Sequence, residues 1–221
     1  IVMDFFISDT PFGHKNVIKY CNRPFRNVDE MNESMVDRWN GIVTARDRVF
    51  VLGDVFIMDP DEASRIIKRL NGYKILIAGN HDRSERTMLE CGFDEYHKRY
   101  DYSLGEIGSC LLVHYPMPDS IIKSLGYDFS IHGHIHGGKR RNGLKLNVAV
   151  DLIDFTPVPV SDIVKDLSVS SKGARVCDEE FSASVSNGIL DASMKIRMED
   201  FSGVVDHIYM MMRGHWPERN K

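Results

Sequence analysis

Five short apolar runs along the chain each break off at a side chain able to bind a metal. Phe5-Phe6-Ile7-Ser8 ends at Asp9, Val49-Phe50-Val51-Leu52 at Gly53-Asp54, and Ile75-Leu76-Ile77-Ala78 at Gly79-Asn80-His81-Asp82. Leu111-Leu112-Val113 ends at His114, and Phe129-Ser130-Ile131 at His132-Gly133-His134-Ile135-His136. Runs of this length read as buried strands, so strands are predicted at Met3 to Ser8, Arg48 to Leu52, Ile75 to Ala78, Ser109 to Val113 and Phe129 to His132. A short helical pattern covers Asn16 to Tyr20. A second helix starts at an Asn27 cap with Asp29 and Glu30 in its first turn, and its stripe of Met31, Met35, Trp39 and Ile42 reads as core. A third opens at Asp59-Pro60, runs through Leu70 and is closed by Asn71-Gly72.

This βαβαβ rhythm implies a parallel sheet covered by helices on both faces. After a helix from Ser84 to Cys91, the pattern predicts one strand from Tyr96 to Leu104, a turn at Gly105 to Gly108 and a short helix over Pro118 to Leu125. Arg141-Asn142-Gly143 carries the Asn-Gly signature of a hairpin turn leading into Leu144 to Val150. The second half is therefore expected to be a more antiparallel sheet stacked on the first. Val158 to Ser161 leads into a short helix ending at Leu167, and Ser168 to Gly173 reads as a linker. A helix over Glu199 to Arg213, with Met210-Met211-Met212, belongs to a C-terminal extension. The expected division is a domain over 1–165 and an extension over 166–221.

Composition narrows the function classes. A chain of 221 residues with 43% apolar and 27% charged side chains has ordinary globular usage, which suits one α/β domain with an appendage. No run approaches the roughly 18 apolar residues of a spanning helix, and no export signal opens the sequence. The expectation is a cytoplasmic protein without a membrane partner. Cys21, Cys91, Cys110 and Cys177 lack Cys-x-x-Cys spacing, so neither a zinc knuckle nor a redox pair is indicated, and free thiols fit a reducing compartment. The net charge of −4 speaks against wholesale nucleic-acid binding, although Lys139-Arg140-Arg141 places a basic patch beside the histidine cluster.

In open α/β sheets ligands bind at the carboxyl ends of the strands, and Asn, His and Asp packed into Asn80-His81-Asp82 are an active-site inventory. Asp9, Gly53-Asp54, Gly79-Asn80-His81-Asp82, His114 and Gly133-His134-Ile135-His136, in that order, resemble the calcineurin-like metallophosphoesterase superfamily. The match spans residues 3 to about 155. The opening Ser8-Asp9-Thr10 with Phe12-Gly13-His14 and Cys21-Asn22-Arg23-Pro24-Phe25 is similar to a compact bacterial and phage branch.

The resemblance implies a four-layer α/β/β/α sandwich with two divalent metals at the strand ends. One would be held by Asp54, Asn80, His114 and His134, the other by Asp9, Asp54 and His136. Mixed N/O donors suit Mn²⁺ first, then Fe or Zn²⁺. A hydroxide bridging the ions would attack phosphorus, His81 would protonate the leaving alkoxide with Asp82 holding its ring, and Arg23 or Arg140 would share the phosphate charge.

One position departs from the family. Asp-x-His is expected, yet Pro11 stands two after Asp9 and offers no ligand atom; His14 is the candidate substitute. The implied function is a metal-dependent phosphoesterase acting on a phosphodiester or small nucleotide phosphate ester. A phosphomonoesterase, and a weakened or inactive phosphate-binding module, are the alternatives. Oligomerisation with further copies is a possible partnership.

Overall fold

Parallel pairing starts at the first strand. In the computed structural model, which describes residues 2–168, β1 (Asp4–Ile7), β2 (Arg48–Val51), β3 (Tyr73–Ile77) and β4 (Glu95–His97) lie side by side in parallel. A short strand not anticipated, β10 (Val158–Pro159), closes this sheet antiparallel to β1. The expectations for the linker past residue 168 and for the Glu199 to Arg213 helix lie outside the described residues.

The expected single strand from Tyr96 to Leu104 is two strands in two sheets. Its first part is β4, and after Lys98-Arg99 the chain crosses to β5 (Tyr100–Ser103) in a second sheet ordered β5, β6 (Ser109–Leu112), β7 (Phe129–His132), β9 (Lys145–Asn147), β8 (Arg141–Asn142). Crossing over packs two half-buried aromatic rings against the first sheet. Phe6 and Phe50 stack at 5.2 Å, and Tyr102 meets each edge-on at 5.2 Å, with Tyr100 against Phe50. The two sheets thus pack face to face, and the first sheet carries helices only on its outer face. The result is the expected four-layer α/β/β/α sandwich.

The middle of the second sheet is parallel where a more antiparallel arrangement was expected. β6 and β7 pair in parallel across the α5 (Asp119–Ser124) crossover, and β7 and β9 pair in parallel as well; only the outer pairs β5–β6 and β8–β9 are antiparallel. The hairpin turn also sits one residue on. Asn142 pairs with Lys145, so Gly143, at φ 60, is the first central residue.

Local signals set the helix starts. The Asn27 side chain accepts from Glu30 N–H at 2.9 Å ahead of α2 (Val28–Ile42), Asp59 caps α3 (Pro60–Ile67), and Ser84 caps α4 (Glu85–Cys91). Met31, Met35 and Trp39 are buried as expected, but Ile42, the last residue of the helix, is 39% exposed. The third helix stops at Ile67, short of Leu70, and the chain turns at Gly72 with φ 90. α1 (Val17–Tyr20) and α6 (Val160–Ser168) complete the set. Among the described residues no helix is long and apolar enough to cross a membrane.

Candidate metal centre

Both sheets deliver their strand ends to one place. Asp9 follows β1, Asp54 follows β2, Asn80 to Asp82 follow β3, His114 follows β6, and His134 and His136 follow β7. Three of these residues, Asp9 (φ 57), Asp54 (φ 55) and His134 (φ 67), hold the left-handed backbone that side chains disfavour. Such strain persists only where surrounding structure over-determines it, and it clusters at functional sites. Two glycines let the loops close. A Cβ on Gly53, at φ 86, would sit 2.6 Å from the Gly79 backbone and from His114 Nδ1, and one on Gly133 would collide with Ser8 and the Asp9 carboxylate.

One donor set forms around Asp54, His114 and His134, whose ligand atoms all lie within 4.8 Å of one another. His114 Nδ1 lies 2.7 Å from the Leu52 carbonyl, which can only accept, so Nδ1 carries a proton and Nε2 is left to take a cation or a second proton. That Nε2 is 3.1 Å from Asn80 Oδ1, 3.3 Å from His134 Nδ1 and 3.4 Å from Asp54 Oδ2. Four electron-pair donors pointed at one spot repel unless a cation or a proton is shared among them. Burial opposes charging His114, yet the Asp54 hydrogen bond and the Asp9 and Asp54 carboxylates outweigh it and lift its pKa to about 9. Asp54 is held low in turn, its burial overcome by His114 and the His81 N–H.

The second set centres on Asp9. Its carboxylate is fully buried; Oδ2 accepts from His134 N–H at 2.8 Å, while Oδ1 has no hydrogen-bond partner among the described residues. Burial drives the Asp9 pKa up, the response of a carboxylate lacking a compensating charge. His136 Nδ1 donates to Asp151 Oδ2 at 2.8 Å, which turns Nε2 toward Asp9 Oδ1, 3.7 Å away. A carboxylate behind an imidazole is the usual arrangement of a metal-ligating histidine. The orphaned Asp9 oxygen and the all-N/O donors fit hard or borderline divalent cations.

Several expected roles change. Asp82 does not hold the His81 ring: Oδ2 accepts the Gly79 and Asp54 N–H groups at 2.7 and 3.0 Å, and Oδ1 accepts Val55 N–H at 2.9 Å. It shapes the ligand loops instead. His81 is exposed at the mouth, its backbone N–H anchored on Asp54 Oδ1 at 2.9 Å. Arg23 is not available to phosphate, because its buried guanidinium grips Asp151 through Nε and Nη2, both at 2.8 Å, and donates to the Asp9 carbonyl at 3.1 Å. Arg140 is drawn away to Asp166, 2.8 Å distant on α6.

Pro11 is buried and its turn is fixed by Phe12 N–H on the Val55 carbonyl. His14 packs edge-on against Tyr20 and feels the charges of Arg23, His81 and His136, so it fronts the site, but it belongs to neither donor cluster. His132 is buried, with its pKa pushed down to about 4 by burial. It stays neutral within the second sheet.

Two residues escaped the sequence reading. Asp151 orients His136 and Arg23, and its signal was present: Val148-Ala149-Val150 is a further apolar run ending in a carboxylate. Cys21 is the other, placed with its sulfur within 4.8 Å of donor atoms of His136 and Asp151.

No family model matches the chain. An uncharacterized protein of Methanocaldococcus jannaschii is 36% identical over 174 residues, covering 73% of this chain and 89% of that protein. A crystal structure of a protein of unknown function from Aquifex aeolicus superimposes with a TM-score of 0.63 at 28% identity, covering 75% of this chain and 99% of that one. A structure described as a novel archaeal phosphodiesterase is a more distant likeness, at 16% identity and a TM-score of 0.39 over 66% of this chain and 82% of that one, too remote to bear on function. With its ordered strand-end motifs and two-sheet sandwich, the chain belongs to the family of the Methanocaldococcus jannaschii protein.

Proposed function

We propose that the chain hydrolyses a phosphodiester or small nucleotide phosphate ester with divalent cations held between its strand ends. The observation that carries this reading is the convergence of Asp54, Asn80, His114 and His134 donors beside the orphaned Asp9 oxygen. Asp54, Asn80, His114 and His134 would hold one ion, and Asp9, Asp54 and His136 the other, with Mn²⁺ preferred over Fe or Zn²⁺ for these N/O donors. Bound there, the ions supply Lewis acidity that activates water and draws off phosphate charge.

The protein's own groups do the rest. Asp54 belongs to the His114 and His134 set and its charge bears on Asp9, and the resemblance makes it the shared anion. Asp82 fixes the Gly79 and Asp54 amides and thereby the angle at which Asn80 and Asp54 enter the site. His81, exposed and tied through its backbone to Asp54, is placed to give a proton to the departing alkoxide. Arg23, locked on Asp151, keeps the His136 ring in place and is not a phosphate clamp.

The test is metal analysis alongside hydrolysis of bis-p-nitrophenyl phosphate and p-nitrophenyl phosphate after loading with Mn²⁺, Fe²⁺ or Zn²⁺. Metal-dependent turnover that favours the diester and is abolished by chelation is expected. Faster cleavage of the monoester would make it a phosphomonoesterase. The substitution at Pro11 motivates the other reading, a phosphate-binding module, which would retain metal and bind phosphate without turnover. A protein that takes up no metal would overturn the proposal.

A further inference from the structure

Past its last residue, β6 is still tied to the end of β7. The His114 carbonyl accepts Gly133 N–H at 3.0 Å, so the next residue on each side, Tyr115 and His134, leave the sheet next to one another. Their rings meet, with centroids 4.7 Å apart and planes tilted by 59°. Tyr115 also stands edge-on to His114 at 5.1 Å, and His114 stands edge-on to His134 at the same distance. The three rings form a closed triangle. Two of its corners belong to the donor set of Asp54, His114 and His134, and the third, Tyr115, has no part in the site described so far.

His134 is a demanding member of that set. Its backbone is left-handed, at φ 67, and its N–H donates to Asp9 Oδ2 at 2.8 Å, which fixes the main chain but leaves the side-chain torsions to be set by what the ring meets. Its Nδ1 lies 3.3 Å from His114 Nε2, so before a cation arrives the two nitrogens must share a proton or repel. Swinging the ring away would relieve that repulsion and spoil the aim. Tyr115 stands against the ring, half-buried and followed by Pro116, which bars it from helical backbone and stiffens the segment that presents the phenol. Tilted and edge-on contacts of this kind are the arrangement that aromatic rings favour.

We propose that Tyr115 is a positioning residue, its ring bracing the His134 imidazole so that Nδ1 stays aimed with His114 Nε2 at one cation. The role rests on the metal centre proposed above. It belongs to the ring and not to the hydroxyl. It bears on the ion of Asp54, Asn80, His114 and His134 and not on that of Asp9 and His136, whose imidazole is oriented by Asp151. Removing a group that orients a metal-ligating histidine changes metal affinity by about 10- to 100-fold.

The test is titration of metal-free full-length protein with Mn²⁺, the free ion being followed by its electron paramagnetic resonance signal. Tyr115→Leu should weaken one binding step by about 10- to 100-fold and leave the other as it was. Tyr115→Phe, which keeps the ring, should bind as the parent does. A residue that only fills space would lower the melting temperature of Tyr115→Leu and leave the affinities of the folded protein unchanged; that result overturns the role of Tyr115 and leaves the metal centre intact. Equal weakening in Tyr115→Phe and Tyr115→Leu, or of both ions alike, overturns it too. No Mn²⁺ uptake by the parent overturns the metal centre and Tyr115 together. Should Tyr115→Leu fail to fold, ring motion in the metal-free parent decides. Histidine-ring ¹³C relaxation, with the His134 signal identified by its loss in His134→Gln, is expected to show His134 as rigid as the buried His132. A His134 ring that reorients freely overturns the proposal.

Discussion

At the residue scale, the half-buried Asp82 carboxylate accepts three backbone N–H groups, from Asp54, Val55 and Gly79. Leaving buried donors unpaired costs about 1–3 kcal/mol each, so Asp82→Ala should lose about 3 kcal/mol or more in urea unfolding of the metal-free protein. A loss below about 1 kcal/mol would show that the loops hold their shape without it. His81 should behave in the opposite way. Its ring makes no hydrogen bond among the described residues, so His81→Ala should leave metal content and stability unchanged while slowing esters of basic alcohols by about 10²- to 10⁴-fold. Esters of p-nitrophenol need no proton on the leaving group and should be slowed much less; an equal loss on both would remove His81 as the acid. For Asp54→Asn the expected outcome is loss of bound metal and of nearly all turnover, because the variant lacks the carboxylate proposed as the shared anion.

At the element scale, the strand-to-loop junctions decide how much can change. Gly133→Ala would drive a methyl into Ser8 and the Asp9 carboxylate, whereas Gly137, four residues on, has open space around it. Gly133→Ala should therefore abolish metal binding and lower the melting temperature sharply, and Gly137→Ala should be within about 0.5 kcal/mol of the parent; similar melting curves for the pair would contradict the packing described. These junctions were legible in the sequence because an apolar run that stops at a carboxylate or imidazole carries both its strand and its chemistry in adjacent letters. The crossing between β4 and β5 was not legible. Tyr96 to Leu104 has uniform strand propensity, and what divides it is the burial of Tyr100 and Tyr102 against Phe6 and Phe50, residues about 50 to 95 positions away. Asp82 and Arg23 were assigned to the reaction for the same reason: sequence places them beside His81 and Asp9 but cannot reveal that backbone amides and Asp151 claim them first.

At the scale of the whole molecule, the two sheets are tied where Tyr102 O–H donates to Asp4 Oδ2 at 2.7 Å and Arg48 grips the same carboxylate through Nε and Nη2, both at 2.7 Å. Burial first, and then the Asp4 carboxylate, raise the Tyr102 pKa far above the ordinary value of 10.0. A raised folded pKa means the stabilisation is fully present below about pH 10 and drains away as the pH climbs toward the folded value. Unfolding midpoints should fall as the pH rises from about 10 to 12, and the fall should be shallower in Tyr102→Phe, which has no hydroxyl to ionise; parallel slopes would exclude this tie as the cause. The placement of the metal donors has a consequence in time. Asp9, Asp54 and Asn80 ride on the first sheet and His114, His134 and His136 on the second, so neither sheet alone presents a complete site. Metal capture must wait until two sheets built from distant parts of the chain have docked, a slow event by its long-range contacts. Uptake of an ion during refolding is then a clock for that docking, and its rate should match the last phase of burial of the aromatic rings between the sheets.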